Sequence, residues 1–265
     1  MIGRAALGLL LAAVVALAAV RSRALTRDGG LAAVVVGSVC VAAGWSWAAL
    51  LVFFFVTSSI LSRVRAPVRS RLTEAVVAKG GARDAVQVLA NGGIFALAAL
   101  LSLLLPWAGW APLGAGAIAA STADTWSSEV GTLSRTPPRL ITSGMRVPPG
   151  TSGAVTPLGL GAAVAGAVLV ALVARLVGWP ENAGVAALAG GVAGALADSL
   201  LGARWQVRRR CPRCGENTER ELHPCGTNTE LTGGITWLDN DGVNLLSGAT
   251  GALVALLVAL LVSPG

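Results

Sequence analysis

Three carboxylates stand beside long apolar runs: Asp124 and Glu129 in ADTWSSEVG, and Asp198 in GALADSLLGA. An acid at a membrane edge is costly, and its default reading is a functional one, with helix capping or a packing hydrogen bond as the alternatives. For Glu129 a capping box is excluded, because Trp126 occupies the position where Ser or Thr would be needed. The hydroxyls of Ser127 and Ser128 lie between the two acids and, with Asn91, are candidate groups for binding nucleotide or phosphate. Further along, WLDNDGVNLL groups Asp239, Asn240, Asp241 and Asn244. Oxygen donors at that density suit Mg²⁺, which takes one or two carboxylates together with substrate phosphates. An Asp or Asn N-cap accounts for at least one of them.

Phosphate chemistry is suggested by RLITSGMRVPPGTSGAVTPLGLG, residues 139–161. A Gly-rich turn that opens a helix offers free backbone N–H groups at a positive dipole end. Arg139 and Arg146 add bidentate donors, and Thr142, Gly150, Thr151 and Gly153 complete the turn. The competing reading is a flexible loop whose arginines meet anionic lipid headgroups. No GxxxxGK[ST] is present, and the one lysine, Lys79, lies elsewhere. Asp84, Gln87 and Asn91 share one helix face in RDAVQVLANGG, a pattern that interhelical hydrogen bonding would equally explain. Cys211, Cys214, His223 and Cys225 fall in CPRCGENTERELHPCG, a four-ligand set of the kind a closed structural zinc site needs. Unmetallated thiols or a redox role remain open for it.

The elements that must position these residues are membrane helices. The 265 residues are 54% hydrophobic and 12% charged, with a mean hydropathy of +0.72, against roughly 25% charged in a soluble domain. Eight segments approach helical-span length, at about 3–20, 29–44, 47–62, 86–105, 109–124, 156–178, 183–201 and 243–262. The second, third and fifth are short, so an all-α bundle of seven or eight spans is expected. The apolar N-terminal run is long for a signal peptide and reads as a retained first span. Trp45 and Trp47 read as interfacial anchors.

Arginines cluster after spans one, three, five and seven, while GWSW, PWAGWAP and VGWPENAG carry no Arg or Lys. The positive-inside rule then places the four basic loops, and every polar motif, on the cytoplasmic side, with both termini outside. It also explains the net charge of +7 without a nucleic-acid partner. The chain reads as a single membrane domain, 1–265, with a cytoplasmic Cys/His insertion at 204–236. Small residues including Gly190 and Gly194 read as helix-packing surface.

Together, ADTWSSEVG, the 139–161 loop, GALADSLLGA, WLDNDGVN, ANGG and TRDGG resemble the integral membrane family that contains transmembrane protein 19 and plant phytyl-phosphate kinase. The resemblance covers nearly the whole chain. It implies a membrane phosphotransferase that converts an isoprenyl monophosphate, such as phytyl or geranylgeranyl phosphate, into the diphosphate. The donor would be a nucleoside triphosphate, CTP in the first instance, with Mg²⁺. Asp124, Glu129, Asp198, Asp239 and Asp241 match acidic family positions, and Arg139, Thr142, Arg146, Gly150, Thr151 and Gly153 match its loop. The Cys/His insertion departs from the better-known relatives, which fits a structural accessory holding Zn²⁺. A transporter or flippase of an isoprenoid phosphate would use the same charged groups and is the alternative.

Overall fold

The computed structural model describes residues 2–73 and 75–262. Apolar chain in lipid must satisfy its backbone polar groups internally, so each apolar run closes into a helix. In order these are α1 (Ile2–Arg21), α2 (Arg27–Ala43), α3 (Trp45–Thr73), α4 (Ala85–Leu104), α5 (Trp110–Gly131), α6 (Pro157–Leu176), α7 (Glu181–Arg204) and α8 (Asn240–Val262). They follow the eight expected segments one for one. Among the described residues, five are long and apolar enough to cross a membrane: Trp45–Val64 of α3, together with α4, α6, α7 and α8. α1 adds the shorter apolar run Ala6–Arg21.

Two helices outrun their apolar segments. α3 continues to Thr73, so the stretch after residue 62 is helix and not loop. α5 continues to Gly131, which puts Asp124 and Glu129 on one helix instead of in a loop after it.

α5 is the central element and packs against α3, α4, α6, α7 and α8. Residues 114–123 are buried without interruption. A helix enclosed on all sides gains from close backbone approach more than from bulk, which is why this one is built of Gly, Ala, Ser and Thr. The tightest point joins Gly116, Gly190 and Gly251. A Cβ on Gly190 would lie 3.0 Å from the Gly116 Cα, and one on Gly251 would lie 2.7 Å from the Gly116 carbonyl oxygen. Gly194 does the same one turn on, where Ser247 Oγ donates to its carbonyl at 2.9 Å. The packing role expected for Gly190 and Gly194 is therefore the observed one.

One end of the bundle is aromatic. Trp47 meets Phe95 and Trp179 at centroid distances of 5.0 and 4.8 Å. Trp47 is buried, so it is a core residue and not the interfacial anchor expected; Trp45 is exposed.

At the opposite end the polar motifs gather. Thr26, Asp84 and Thr156 cap α2, α4 and α6, Asp84 through a capping box with Gln87. Thr26 N–H donates to the Arg83 carbonyl at 3.0 Å, and Arg63 Nη2 donates to the Ser22 carbonyl at 2.6 Å. β1 (Arg139–Leu140) pairs antiparallel with β2 (Ala154–Val155) over this end. Between α7 and α8, β3 (Arg208–Arg210), β4 (Asn217–Thr218) and β5 (Glu230–Gly233) form an antiparallel sheet in the order β4-β3-β5. Because α1 ends here and α8 begins here, the start of α1 and the end of α8 lie at the aromatic end of the bundle.

Candidate functional site

The cleft at the polar end has a volume of about 300 Å³. α5 supplies Asp124, Ser127, Ser128 and Glu129, α7 supplies Asp198, and α4 supplies Gln87 and Asn91. The Asp124 and Asp198 carboxyls lie within hydrogen-bonding reach of each other across the α5–α7 interface. Asp198 Oδ2 is buried and no protein donor reaches it. Two carboxylates in contact repel unless they share a proton or a cation. The surrounding hydroxyls and side-chain amides keep the donor set all-oxygen, which fits Mg²⁺ in kind.

Glu129 is buried one helical step further along, and Ser62 Oγ donates to its Oε1 at 2.7 Å. Gly150, Thr151 and Gly153 line the cleft as expected, with Ser152 and Thr156. Gly150 and Gly153 have φ of +87° and +76°. A Cβ on Gly153 would strike Ala203 and lie 2.5 Å from the Ser199 carbonyl oxygen, so glycine lets this turn lie flat on α7 beside Asp198.

Several expected ligands are not brought to the cleft. Arg139 braces its own hairpin, donating from Nη1 to the Gly144 carbonyl at 2.7 Å. Thr142 and Arg146 are exposed on that hairpin and do not line the cleft. A two-strand ribbon turns its tip outward, so the charged part of the loop and its glycine turn separate. Asp239 is the helix cap of α8, accepting from the Gly242 N–H at 3.0 Å. Asp241 is buried against Lys79 Nζ at 2.5 Å. From this motif it is Asn240 and Asn244 that line the cleft. Nor do Asp124, Glu129 and Asp198 form a three-acid cage. Among the described residues, the one cluster of three or more such ligand atoms within common reach is Cys211, Cys214, His223 and Cys225.

Lys79 also meets Asp84, at 2.9 Å. Partial burial alone would lower its ammonium pKa, but the two carboxylates outweigh that and hold it above the ordinary value. Asp241→Asn is expected to cost roughly 1–3 kcal/mol, below the roughly 3–5 of a fully buried pair because Lys79 is partly solvated. Thermal unfolding in detergent measures it.

Motif reading missed three contributors. Glu219, from the Cys/His insertion, lines the cleft and accepts from Ser152 Oγ and, at 2.8 Å, from Gln206 Nε2. Burial pushes its carboxyl above the usual carboxylate range, against the lowering effect of those bonds. Gln206 is the second, and nothing in the local sequence marks either residue. The third is a neighbouring cavity of about 790 Å³ that carries Arg23, Arg63, Lys79, Arg83 and Arg220, with no carboxylate among its described lining residues. Those arginines were legible only as topology signals. Arg23 is held at φ 59°, a conformation that non-glycine residues seldom adopt. The two cavities share a wall that includes Ser62, Thr73, Lys79 and Arg83.

A helical membrane bundle with two adjoining polar cavities at one end, sharing Lys79 and Arg83 in their common wall, defines the class as an integral membrane protein with a polar site at one end of its spans. The chain belongs to the integral membrane protein DUF92 family, whose model matches residues 10–252. It is 32% identical to Protein PGR of Arabidopsis thaliana, over 90% of both chains. It is also 33% identical to an uncharacterized membrane protein of Methanocaldococcus jannaschii, over 94% of this chain and 92% of the relative. No solved structure matches it significantly.

Proposed function

We propose that this protein is a phosphotransferase that moves the terminal phosphoryl group of a nucleoside triphosphate, CTP first among candidates, onto an isoprenyl monophosphate. The observation that carries the reading is the adjacency of a paired-carboxylate cleft and an arginine-lined cavity across a shared wall, at one end of an apolar bundle. Phosphoryl transfer depends on positioning and charge neutralisation more than on covalent participation by the protein. A phosphate acceptor is already an anion, so no strong general base is required.

Asp124 and Asp198 would hold Mg²⁺, which when bound neutralises triphosphate charge. The Gly150–Gly153 turn, which lines the cleft, offers backbone N–H groups to phosphate oxygens. Arg23, Arg63, Arg83 and Arg220 neutralise the lipid monophosphate, whose chain runs among the spans. In the transfer, an acceptor phosphate oxygen bonds to the terminal phosphorus, the bridging P–O bond breaks, and the nucleoside diphosphate leaves. The charge pattern of the loops supports an orientation with this end on the cytoplasmic side and both termini outside.

Purified protein in detergent, given radiolabelled CTP and geranylgeranyl or phytyl monophosphate, is expected to form labelled isoprenyl diphosphate. A panel of nucleotides and prenyl monophosphates yielding no diphosphate overturns the reading. Monophosphate flux across proteoliposomes in the absence of any nucleotide would instead establish a transporter.

A further inference from the structure

We infer that a zinc ion bound by Cys211, Cys214, His223 and Cys225 locks the insertion so that Glu219 reaches the carboxylate cleft and Arg220 the cationic cavity. The zinc site is then part of the machinery that assembles the polar site, not a remote accessory. Its assignment stands on the local geometry, while the catalytic consequence rests on the reading proposed above.

The ligands come from two turns that face each other. In CPRCG, the Cys214 N–H donates to Cys211 Sγ at 3.4 Å and the Gly215 N–H to the Cys211 carbonyl at 2.8 Å. In HPCG, the Cys225 N–H lies 3.4 Å from His223 Nδ1, and the Gly226 N–H donates to the His223 carbonyl at 2.8 Å. Gly215 and Gly226 have φ of +73° and +80°, which a turn this tight requires. The unusual His-x-Cys spacing therefore builds a second turn like the first.

The four ligand atoms all lie within 4.8 Å of one another. Cys211 Sγ and Cys225 Sγ are 3.6 Å apart, and His223 Nδ1 is 3.1 Å from Cys225 Sγ. Zn–S bonds of about 2.3 Å and Zn–N bonds of about 2.0 Å in a tetrahedron demand separations close to these. His223 Nδ1 faces the thiols, while Nε2 on the far side of the ring is buried, 3.3 Å from Glu216 Oε2 but without a hydrogen bond to it. The insertion is shorter than the roughly 40 residues below which a chain usually needs a metal or disulfide to hold a fold.

Between the two turns runs the segment that enters the site. Thr218 Oγ1 donates to the Ala75 carbonyl at 2.7 Å and the Glu219 N–H to the Val76 carbonyl at 2.8 Å. On the other side, Thr229 Oγ1 donates to the Arg220 carbonyl at 2.5 Å. Successive side chains of extended chain point to opposite faces, so adjacent residues can serve the two cavities. Arg220 Nε is buried with no protein acceptor, which leaves it available to an anion. Without the ion, only weak thiol contacts join the two turns directly, and the segment between them is left to the hydrogen bonds of Thr218, Glu219 and Thr229.

The test uses the full-length protein in detergent. Metal analysis is expected to find one zinc per chain, and cobalt exchanged into the site is expected to show thiolate-to-metal charge-transfer absorption that Cys211→Ser weakens. Chelation is expected to raise hydrogen exchange across residues 216–222 while the membrane helices stay protected, with added zinc restoring protection. Glu219→Gln and Arg220→Gln should keep their zinc and still lose diphosphate formation. Zinc removal should lower it roughly 10- to 100-fold, reversibly. Protein from zinc-replete cells that holds no zinc, or that carries a Cys211–Cys225 disulfide by mass, overturns the inference. So does exchange at 216–222 that ignores the metal. If zinc controls exchange but the wild type makes no diphosphate, the zinc-locked segment stands and the kinase reading is what fails.

Discussion

Asp198→Asn is expected to lower diphosphate formation by about 10²- to 10³-fold or more, the loss typical when one preorganised electrostatic contact to a transferring group is removed. The two acids act as a unit: Asp198 lies against Asp124, and its buried Oδ2 has no protein donor. Asn preserves shape while halving the charge available to a cation, so the loss falls on turnover more than on folding. Removing one of two half-buried carboxylates in contact relieves repulsion, and thermal stability in detergent should hold or rise. Asp124→Asn should have a similar effect. The double variant should be little worse than either single one, because members of one charge constellation are strongly non-additive. Initial rates with saturating nucleotide, set beside unfolding midpoints, measure both sides. An Asp198→Asn protein with near-normal turnover would remove the carboxylate pair from the mechanism.

Gly251→Leu is expected to destabilise the membrane core strongly. Its Cβ would lie 2.6 Å from the Ala120 Cβ, 2.7 Å from the Gly116 oxygen and 2.9 Å from the Gly190 oxygen, and two of these three neighbours are backbone. Backbone cannot rotate away, so α8 must separate from α5 and α7. Overpacking costs roughly 1–3 kcal/mol when side chains can yield, and the absence of that route here puts the cost at or above the upper end. The same displacement disturbs the α5–α7 interface that holds Asp124 against Asp198, so activity should fall even in the fraction that stays folded. Gly161→Leu is the control: a Cβ there meets nothing within 4 Å, and its stability should stay close to wild type. Size-exclusion profiles and unfolding midpoints of the two variants separate a packing effect from a general intolerance of leucine. Equal behaviour of the pair would discount the three-glycine contact.

The eight helices were legible because burying a backbone in lipid leaves the chain one local solution, and a run of apolar residues announces it. Asp124 and Asp198 were legible for a related reason: an acid in an apolar run is conspicuous. Asp239 and Asp241 were conspicuous too, yet one caps its own helix and the other pairs with Lys79, whereas Asn240 and Asn244 line the cleft. Residues one position apart at a helix start point in different directions, and composition does not say which direction faces the cleft. Arg139 and Arg146 illustrate the same limit in a ribbon, where the strand pairing carries them away from the glycines that share their loop.

What the amino-acid order determined by itself is local: which segments are helical, where the caps and tight turns fall, that the basic loops share one side, and that four zinc-type ligands sit in one insertion. Only the tertiary structure decided that α5 is enclosed, that Asp124 meets Asp198 across the α5–α7 interface, and that Glu219 and Arg220 reach two adjoining cavities. The physical reason lies in range. Helix formation and loop charge depend on neighbours a few residues away, whereas the site depends on side-chain directions from many separate segments, and these are set only when the small residues of α5, α7 and α8 close together.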